Sequence, residues 1–114
     1  MNYSQERLQE ALAELGREAH QNTVDKGFWP DGLNRNKGEM IALMHSELSE
    51  LLEGIRKPGP DAHCPEFTRE EVELADLLIR AADYWEACKL RIAEALLAKM
   101  AFNAGRPMKH GKEF

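Results

Sequence analysis

The chain has 114 residues, of which 43% are hydrophobic and 31% charged, and its formal net charge is −5. These values predict one soluble globular domain over residues 1–114 and exclude an intrinsically disordered chain. They also argue against non-specific nucleic-acid binding, which needs a basic surface. The polar first residues hold no signal-peptide pattern, and no apolar run approaches the roughly 20 residues that span a bilayer. We therefore expect a cytoplasmic protein with no nucleic-acid or membrane partner.

The first half of the chain predicts two helices. The first runs from about Ser4, as its N-cap, to about Gln21. Its apolar stripe at helical spacing consists of Leu8, Ala11, Leu12, Leu15 and Ala19. The second follows Asn36 as N-cap, with Glu39 three residues later in a variant of the capping box, and ends before Pro58. Its predicted core stripe consists of Ile41, Met44, Leu48, Leu51, Leu52 and Ile55.

The loop between these helices, residues 22–36, is rich in turn-forming residues but contains Phe28 and Trp29. Large aromatic side chains are costly to leave in water. We therefore expect each ring either to fill a gap in the core or to face a ligand.

The second half predicts two more helices and an irregular tail. Thr68 and Glu71 form a capping box that opens the third helix. No glycine or proline occurs from Glu70 to Asn103, but one helix of that length would leave its apolar residues poorly covered. We predict a break within residues 88–91, a fourth helix through Asn103, and an irregular tail from residue 104 onwards. The fold class is all-α, an antiparallel bundle of about four helices.

Two carboxylate pairs lie on the second and third helices. Glu47 and Glu50 form the first pair, Glu73 and Asp76 the second, and 22 residues separate the pairs. A spacing of three places both acids of a pair on nearly one helix face, here at the border of the apolar stripe. Four acids brought together repel each other unless a cation compensates them, and carboxylate-only clusters suit Mg²⁺ or Mn²⁺. The alternative is a solvated acidic surface, and the spacing leaves both open.

Three segments resemble the MazG-like nucleoside triphosphate pyrophosphohydrolases of the all-α NTP pyrophosphatase superfamily. They are RNKGEMIALMHSELSELLEGIRK (residues 35–57), EEVELADLLIRAADYWE (residues 70–86) and KMAFNAGRPMKHGKEF (residues 99–114). The signature of that superfamily, E-x-x-E followed by E-x-x-D, is matched by Glu47, Glu50, Glu73 and Asp76. The resemblance extends from about Gly27 to the C-terminus. One departure is the run Lys89-Leu90-Arg91-Ile92, where many relatives have a glycine and an acidic cap.

The resemblance implies Mg²⁺-dependent hydrolysis of a nucleoside triphosphate between the α and β phosphates, to a monophosphate and pyrophosphate, as housekeeping of the nucleotide pool. The four acids would be the metal ligands, with Mn²⁺ as a possible substitute, and Glu50 would orient the attacking water. Lys99, Asn103 and Arg106 match a K-x-x-x-N-x-x-R pattern and would bind the phosphates. Alternatively, Lys99 pairs with a surface acid and Asn103 ends its helix.

The resemblance also implies that an aromatic residue from the loop after the first helix contacts the nucleobase, and Trp29 is the candidate. His20 or Asn22 would supply polar contacts to the same base. Trp29 as part of the core and His20 as an ordinary surface residue are the alternatives. Arg80 is a candidate to brace Asp76 or Asp83. Members of this size form homodimers or homotetramers. Two other functions remain open: hydrolysis of another pyrophosphate-linked substrate such as phosphoribosyl-ATP, and a non-catalytic helical interaction module.

Overall fold

Four α-helices and one short 3₁₀ helix make up most of the computed structural model, which describes residues 2–112 except for the side chains of residues 110 and 111. Within that part of the chain there is no strand beyond one isolated bridge between Pro60 and Thr68. The all-α prediction with four helices is confirmed. The elements are α1 (Tyr3–Asp25), α2 (Lys37–Arg56), α3 (Arg69–Ala87), α4 (Ile92–Ala104) and the 3₁₀ helix Met108–Gly111.

The first helix starts earlier and ends later than its sequence pattern predicts. Its N-cap is Asn2, not Ser4: the side chain of Asn2 accepts from the backbone N–H of Gln5 at 2.9 Å, and Gln5 Oε1 accepts from the Asn2 N–H at 3.0 Å. This reciprocal capping box provides acceptors for two backbone N–H groups at the start of the helix. Ser4, the predicted N-cap, lies inside the helix and does not form this cap. At the other end, α1 continues to Asp25.

The predicted N-caps of α2 and α3 are confirmed, and among the described hydrogen bonds the reciprocal box forms at α3 but not at α2. Asn36 Oδ1 accepts from the N–H of Glu39 at 3.0 Å. Thr68 Oγ1 accepts from the N–H of Glu71 at 3.1 Å, and Glu71 Oε1 accepts from the N–H of Thr68 at 3.0 Å. These contacts bind the first-turn N–H groups that a helix leaves without partners.

The predicted break between α3 and α4 is also confirmed, and it has a definite geometry. The N–H of Leu90 donates to the carbonyl of Trp85 at 2.9 Å, and the N–H of Lys89 donates to the carbonyl of Glu86 at 3.2 Å. Lys89 itself has a left-handed backbone conformation, with φ of 56°. This pair of bonds around one left-handed residue is a Schellman motif, with lysine at the position where glycine is usual.

Helix α3 is the central element, since α1 and α2 both pack along it and α4 packs against α1. One core cluster joins Ala19 of α1 to Ala82 and Trp85 of α3. The Trp85 ring lies so close to Gly16 that a Cβ at that position would stand 2.6 Å from its indole nitrogen. A second cluster contains Trp29, Met40 and Ala87, with Tyr84 packed against it.

The predicted core stripe of α2 is wrong for four of its six residues, which are exposed: Ile41, Leu48, Leu52 and Ile55. Three apolar residues of α3 are exposed as well: Leu74, Leu78 and Ile79. The reason is that, within residues 2–112, α2 packs mainly against α3, so that its remaining apolar residues are left uncovered. Of the helices described, none is long and apolar enough to cross a membrane.

Candidate metal-binding cleft

Three of the four predicted metal ligands converge where α2 packs on α3. Glu47 of α2 and Glu73 and Asp76 of α3 each offer one carboxylate oxygen, and these oxygens all lie within 4.8 Å of one another. All three residues are half-buried. The fourth, Glu50, is exposed and is not part of this group.

The electrostatics of the cluster are unfavourable without a cation. Burial raises the pKa of Glu73, and the negative charges of Asp76, Glu50, Glu47 and Asp61 raise that pKa further. Burial also raises the pKa of Asp76, assisted by Glu47 and Asp61 and opposed by Arg80. Glu50 therefore acts on the cluster through its charge although its side chain lies outside it. Hard oxygen donors that repel one another fit a hard divalent cation such as Mg²⁺.

Arg80 neutralises part of this charge by contacting Glu47. Its Nε donates to Glu47 Oε1 at 2.7 Å, and the side chain of Glu47 is 14% exposed. Neither Asp76 nor Asp83, the two partners considered from the sequence, forms a salt bridge with Arg80 among the described residues. Arg80 follows Asp76 by one turn on α3, which brings its guanidinium to the α2 side of the helix pair.

A cleft of about 310 Å³ opens from this cluster. Glu47, Asp76, Arg80 and Asp83 line it, and Asp76, Arg80 and Asp83 follow one another along α3 at spacings of four and three. The cleft therefore has an acidic region, a cationic region with Arg80 and a second acidic region at Asp83. Its other lining residues are Thr23, Phe28, Arg35 and Ile79.

Asp83 is held by residues of α1. His20 Nδ1 and Thr23 Oγ1 both lie 2.8 Å from Asp83 Oδ1. A carboxylate only accepts, so Nδ1 of His20 carries the proton. Trp29 Nε1 in turn donates to Thr23 Oγ1 at 3.1 Å. The side chain of Asp83 is 7% exposed, so this network fixes a largely buried carboxylate at the cleft wall.

The two aromatic residues of the loop after α1 have different environments. Trp29 is 7% exposed and packs with Met40 and Ala87, while the guanidinium of Arg35 lies 5.1 Å from the centre of its ring. Phe28 is 55% exposed and lines the cleft. Of the two outcomes expected for these rings, Trp29 fills the core and Phe28 faces the cleft. Trp29, predicted to contact a nucleobase, is not among the residues that line the cleft.

The predicted phosphate-binding residues of α4 lie apart from the acids. Lys99, Asn103 and Arg106 do not line the cleft, and α4 packs mainly on α1. The ammonium of Lys99 lies 4.8 Å, and the guanidinium of Arg106 5.5 Å, from the centre of the Phe102 ring. Asn103 Oδ1 is buried and has no hydrogen-bond partner within the described part of the chain.

In comparisons with protein-family models, with curated proteins and with solved structures, nothing matches the chain.

Sequence reasoning did not assign Phe28, Arg35 or Thr23 to the cleft. Asp83 and Arg80 did have a signal, since they continue the polar stripe of Glu73 and Asp76 at offsets of 10 and 7 residues. That stripe marks the face of α3 that lines the cleft. Thr23 and Arg35 carry no such pattern, because tertiary packing brings them to the cleft. Helix α1, which carries Thr23, packs against α3, and the guanidinium of Arg35 lies over the Trp29 ring.

Proposed function

We propose that this chain is a MazG-like nucleoside triphosphate pyrophosphohydrolase, which uses Mg²⁺ to cleave between the α and β phosphates and releases a nucleoside monophosphate and pyrophosphate. The observation that carries the proposal is the convergence of Glu47, Glu73 and Asp76 within 4.8 Å, two of which, Glu47 and Asp76, line a cleft. The cleft volume of about 310 Å³ lies at the lower end of the range for small-molecule sites. The resemblance of the flanking segments to MazG-like enzymes agrees with this reading.

The clustered acids, Glu50 and Arg80 have separate roles in this proposal. Glu47, Glu73 and Asp76 hold the cation, which supplies positive charge against the charge that develops during phosphoryl transfer. Glu50, one turn after Glu47, accepts a hydrogen bond from the attacking water and orients it. Arg80 exchanges Glu47 for phosphate oxygens, which a guanidinium binds in a planar, two-pronged geometry.

A second copy of the chain completes the site in this proposal. The apolar residues left exposed on α2 and α3 are numerous enough to form an interface. An open apolar depression of about 510 Å³ beside Leu90, Ile92 and Ala95 adds to this exposed surface. In such a homodimer or homotetramer, Lys99, Asn103 and Arg106 of one copy would reach the phosphates bound by another. Within one copy they do not line the cleft.

The experiment is a panel of unmodified and modified nucleoside triphosphates with Mg²⁺, in which release of pyrophosphate is distinguished from release of orthophosphate. Pyrophosphate is expected with the wild-type chain. Glu73→Gln is expected to lower kcat/KM by more than about 100-fold, because it removes a charged cation ligand. Glu10→Gln, the same change at an exposed position of α1, is the control and retains activity. Orthophosphate as the sole product, or full activity of Glu73→Gln, contradicts the proposal.

A further inference from the structure

We infer that Asp83 makes the cleft select nucleotides whose base carries an exocyclic amino group, namely cytosine, adenine and guanine, over uracil and thymine. The inference rests on the proposed nucleotide hydrolysis and adds the class of base. Three features carry it: the position of Asp83 along the cleft, the unequal use of its two oxygens, and the exposed Phe28 ring.

The distance from the acid cluster to Asp83 matches the distance from the phosphates of a nucleotide to its base. Asp83 follows Asp76 by seven positions on α3, and a helix rises 1.5 Å per residue, which gives about 10 Å. This distance is comparable with the extent of a nucleotide from its phosphates to its base. Both residues line the same cleft, with Arg80 between them on the helix. Phosphates placed at Arg80 and the acid cluster therefore leave the base near Asp83.

The two oxygens of Asp83 are used unequally. Oδ1 lies 2.8 Å from both His20 Nδ1 and the Thr23 hydroxyl, whose single proton is shared between Oδ1 and the carbonyl oxygen of His20 at 2.9 Å. Among the hydrogen bonds described for this part of the chain, Oδ2 takes none. A carboxylate accepts and does not donate. An acceptor at the wall of the cleft lowers the free energy of a complex only with a ligand that offers an N–H or O–H group, and it penalises one that does not.

Nucleobases differ in what they offer to such an acceptor. Cytosine and adenine carry amino groups on their pairing edges, and guanine carries an amino group next to a ring N–H. Thymine and uracil carry a carbonyl oxygen where cytosine has its amino group, and their single ring N–H is flanked by carbonyl oxygens on both sides. Oδ2 would repel those oxygens. A hydrogen bond to a charged acceptor changes affinity by about 10- to 100-fold, which sets the expected preference.

Phe28 supplies the second contact to the base, and this contact does not depend on which base is present. Its ring is more than half exposed at the cleft. Every base has a flat face that stacks on an aromatic ring. His20 and Thr23 act differently: they contact Asp83 and fix its carboxylate, so they are positioning residues.

The test compares kcat/KM for dCTP and dATP with that for dUTP and dTTP, for the wild type and for Asp83→Asn. The wild type is expected to prefer the amino-bearing substrates by about 10- to 100-fold. In Asp83→Asn the two donors on Oδ1 orient the amide oxygen towards α1, so the amide NH₂ takes the place of Oδ2. Because this NH₂ donates, the preference is expected to reverse in favour of dUTP and dTTP.

Two further measurements keep the test decisive. Binding of CMP and UMP, measured by calorimetry in Mg²⁺, is expected to show the same preference without turnover. Phe28→Ala, a change at an exposed position, is expected to raise KM about tenfold for all four substrates and to leave the ratio between them unchanged. If Asp83→Asn does not fold, the substrate panel on the wild type and these two measurements decide whether the cleft selects amino-bearing bases.

The outcomes separate the two proposals. Pyrophosphate release at equal kcat/KM from dCTP and dUTP overturns the selection by Asp83 and leaves the proposed hydrolysis intact. An unchanged preference in folded Asp83→Asn also overturns it. No pyrophosphate from any substrate, together with no binding of CMP, overturns both.

Discussion

Arg80 on α3 donates from Nε to Oε1 of Glu47 on α2 at 2.7 Å, and this ion pair joins the two helices at the wall of the cleft. The pair offsets one of three clustered carboxylates, while Glu73 and Asp76 keep raised pKa values. A divalent cation bound as proposed would therefore compete with Arg80 for Glu47.

Removal of Arg80 should destabilise the metal-free protein and enlarge its response to Mg²⁺. For Arg80→Gln we expect a loss of about 1 kcal/mol in chelator, or a melting temperature about 4 °C lower. The rise in melting temperature on adding Mg²⁺ should exceed that of the wild type, because Glu47 is no longer engaged. Differential scanning fluorimetry with and without Mg²⁺ measures both effects.

The control for this variant is Arg17→Gln, which breaks the exposed ion pair with Glu14 on α1. Such a pair contributes little to stability. Neither the melting temperature in chelator nor its rise on adding Mg²⁺ should therefore differ measurably from the wild type. Equal melting behaviour of Arg80→Gln and Arg17→Gln would show that the Arg80–Glu47 pair has no role in balancing the cluster.

Neutralising Asp76 should stabilise the metal-free protein at neutral pH. The folded-state pKa of Asp76 is raised by burial and by Glu47. Between the ordinary value near 4 and the raised one, the folded state binds more protons than the unfolded state, so the free energy of unfolding falls as pH rises. Asp76→Asn removes this pH-dependent loss of stability, because asparagine does not ionise. We expect a gain of about 0.5 kcal/mol, or roughly 2 °C, at pH 7 in chelator.

The pH dependence identifies the cause of that gain. It should shrink as the pH falls through the raised folded-state pKa of Asp76, because the wild-type carboxyl then takes up a proton and loses its charge as well. Glu47→Gln should gain less than Asp76→Asn, since it also gives up the contact with Arg80. A gain from Asp76→Asn that is equal at pH 4 and pH 7 contradicts charge repulsion as its origin.

Mg²⁺ itself should stabilise the folded chain. A ligand present at 100 times its dissociation constant adds about 2.7 kcal/mol to the free energy of unfolding. We expect the melting temperature to rise with Mg²⁺ or Mn²⁺ concentration, and the rise to be reduced in Glu73→Gln but retained in Glu10→Gln. Titration calorimetry on the same three proteins provides the affinities. The same rise in all three would place cation binding elsewhere.

Lys89→Gly should stabilise the turn between α3 and α4. Lys89 has φ of 56°, a left-handed conformation that costs a residue with a Cβ about 1 kcal/mol relative to glycine. We expect a melting temperature about 4 °C higher. Lys89→Ala shortens the side chain but keeps the Cβ, so it should bring no such gain. If alanine and glycine stabilise equally, the backbone conformation is not the cause.

The helices and their starts could be predicted where the determining contacts are local. Asn36 with Glu39 and Thr68 with Glu71 cap their helices across three residues, and such contacts follow from the chain alone. The same local reasoning failed at Ser4, because Asn2 offers an equivalent cap nearby. The apolar stripe of α2 could be read from its spacing, but not which of its residues are covered.

Contacts between distant residues depend on how the helices pack. The spacing of the acids placed Glu47, Glu73 and Asp76 at helix borders, but their approach to within 4.8 Å requires α2 to lie along α3. The choice of Trp29 for the core and Phe28 for the cleft depends on the space beside Met40 and Ala87. The partner of Arg80 lies 33 residues away. Helix formation and capping depend on contacts within about one helical turn, so they can be predicted from the order of the residues. The pairings between distant residues form only once the helices have packed.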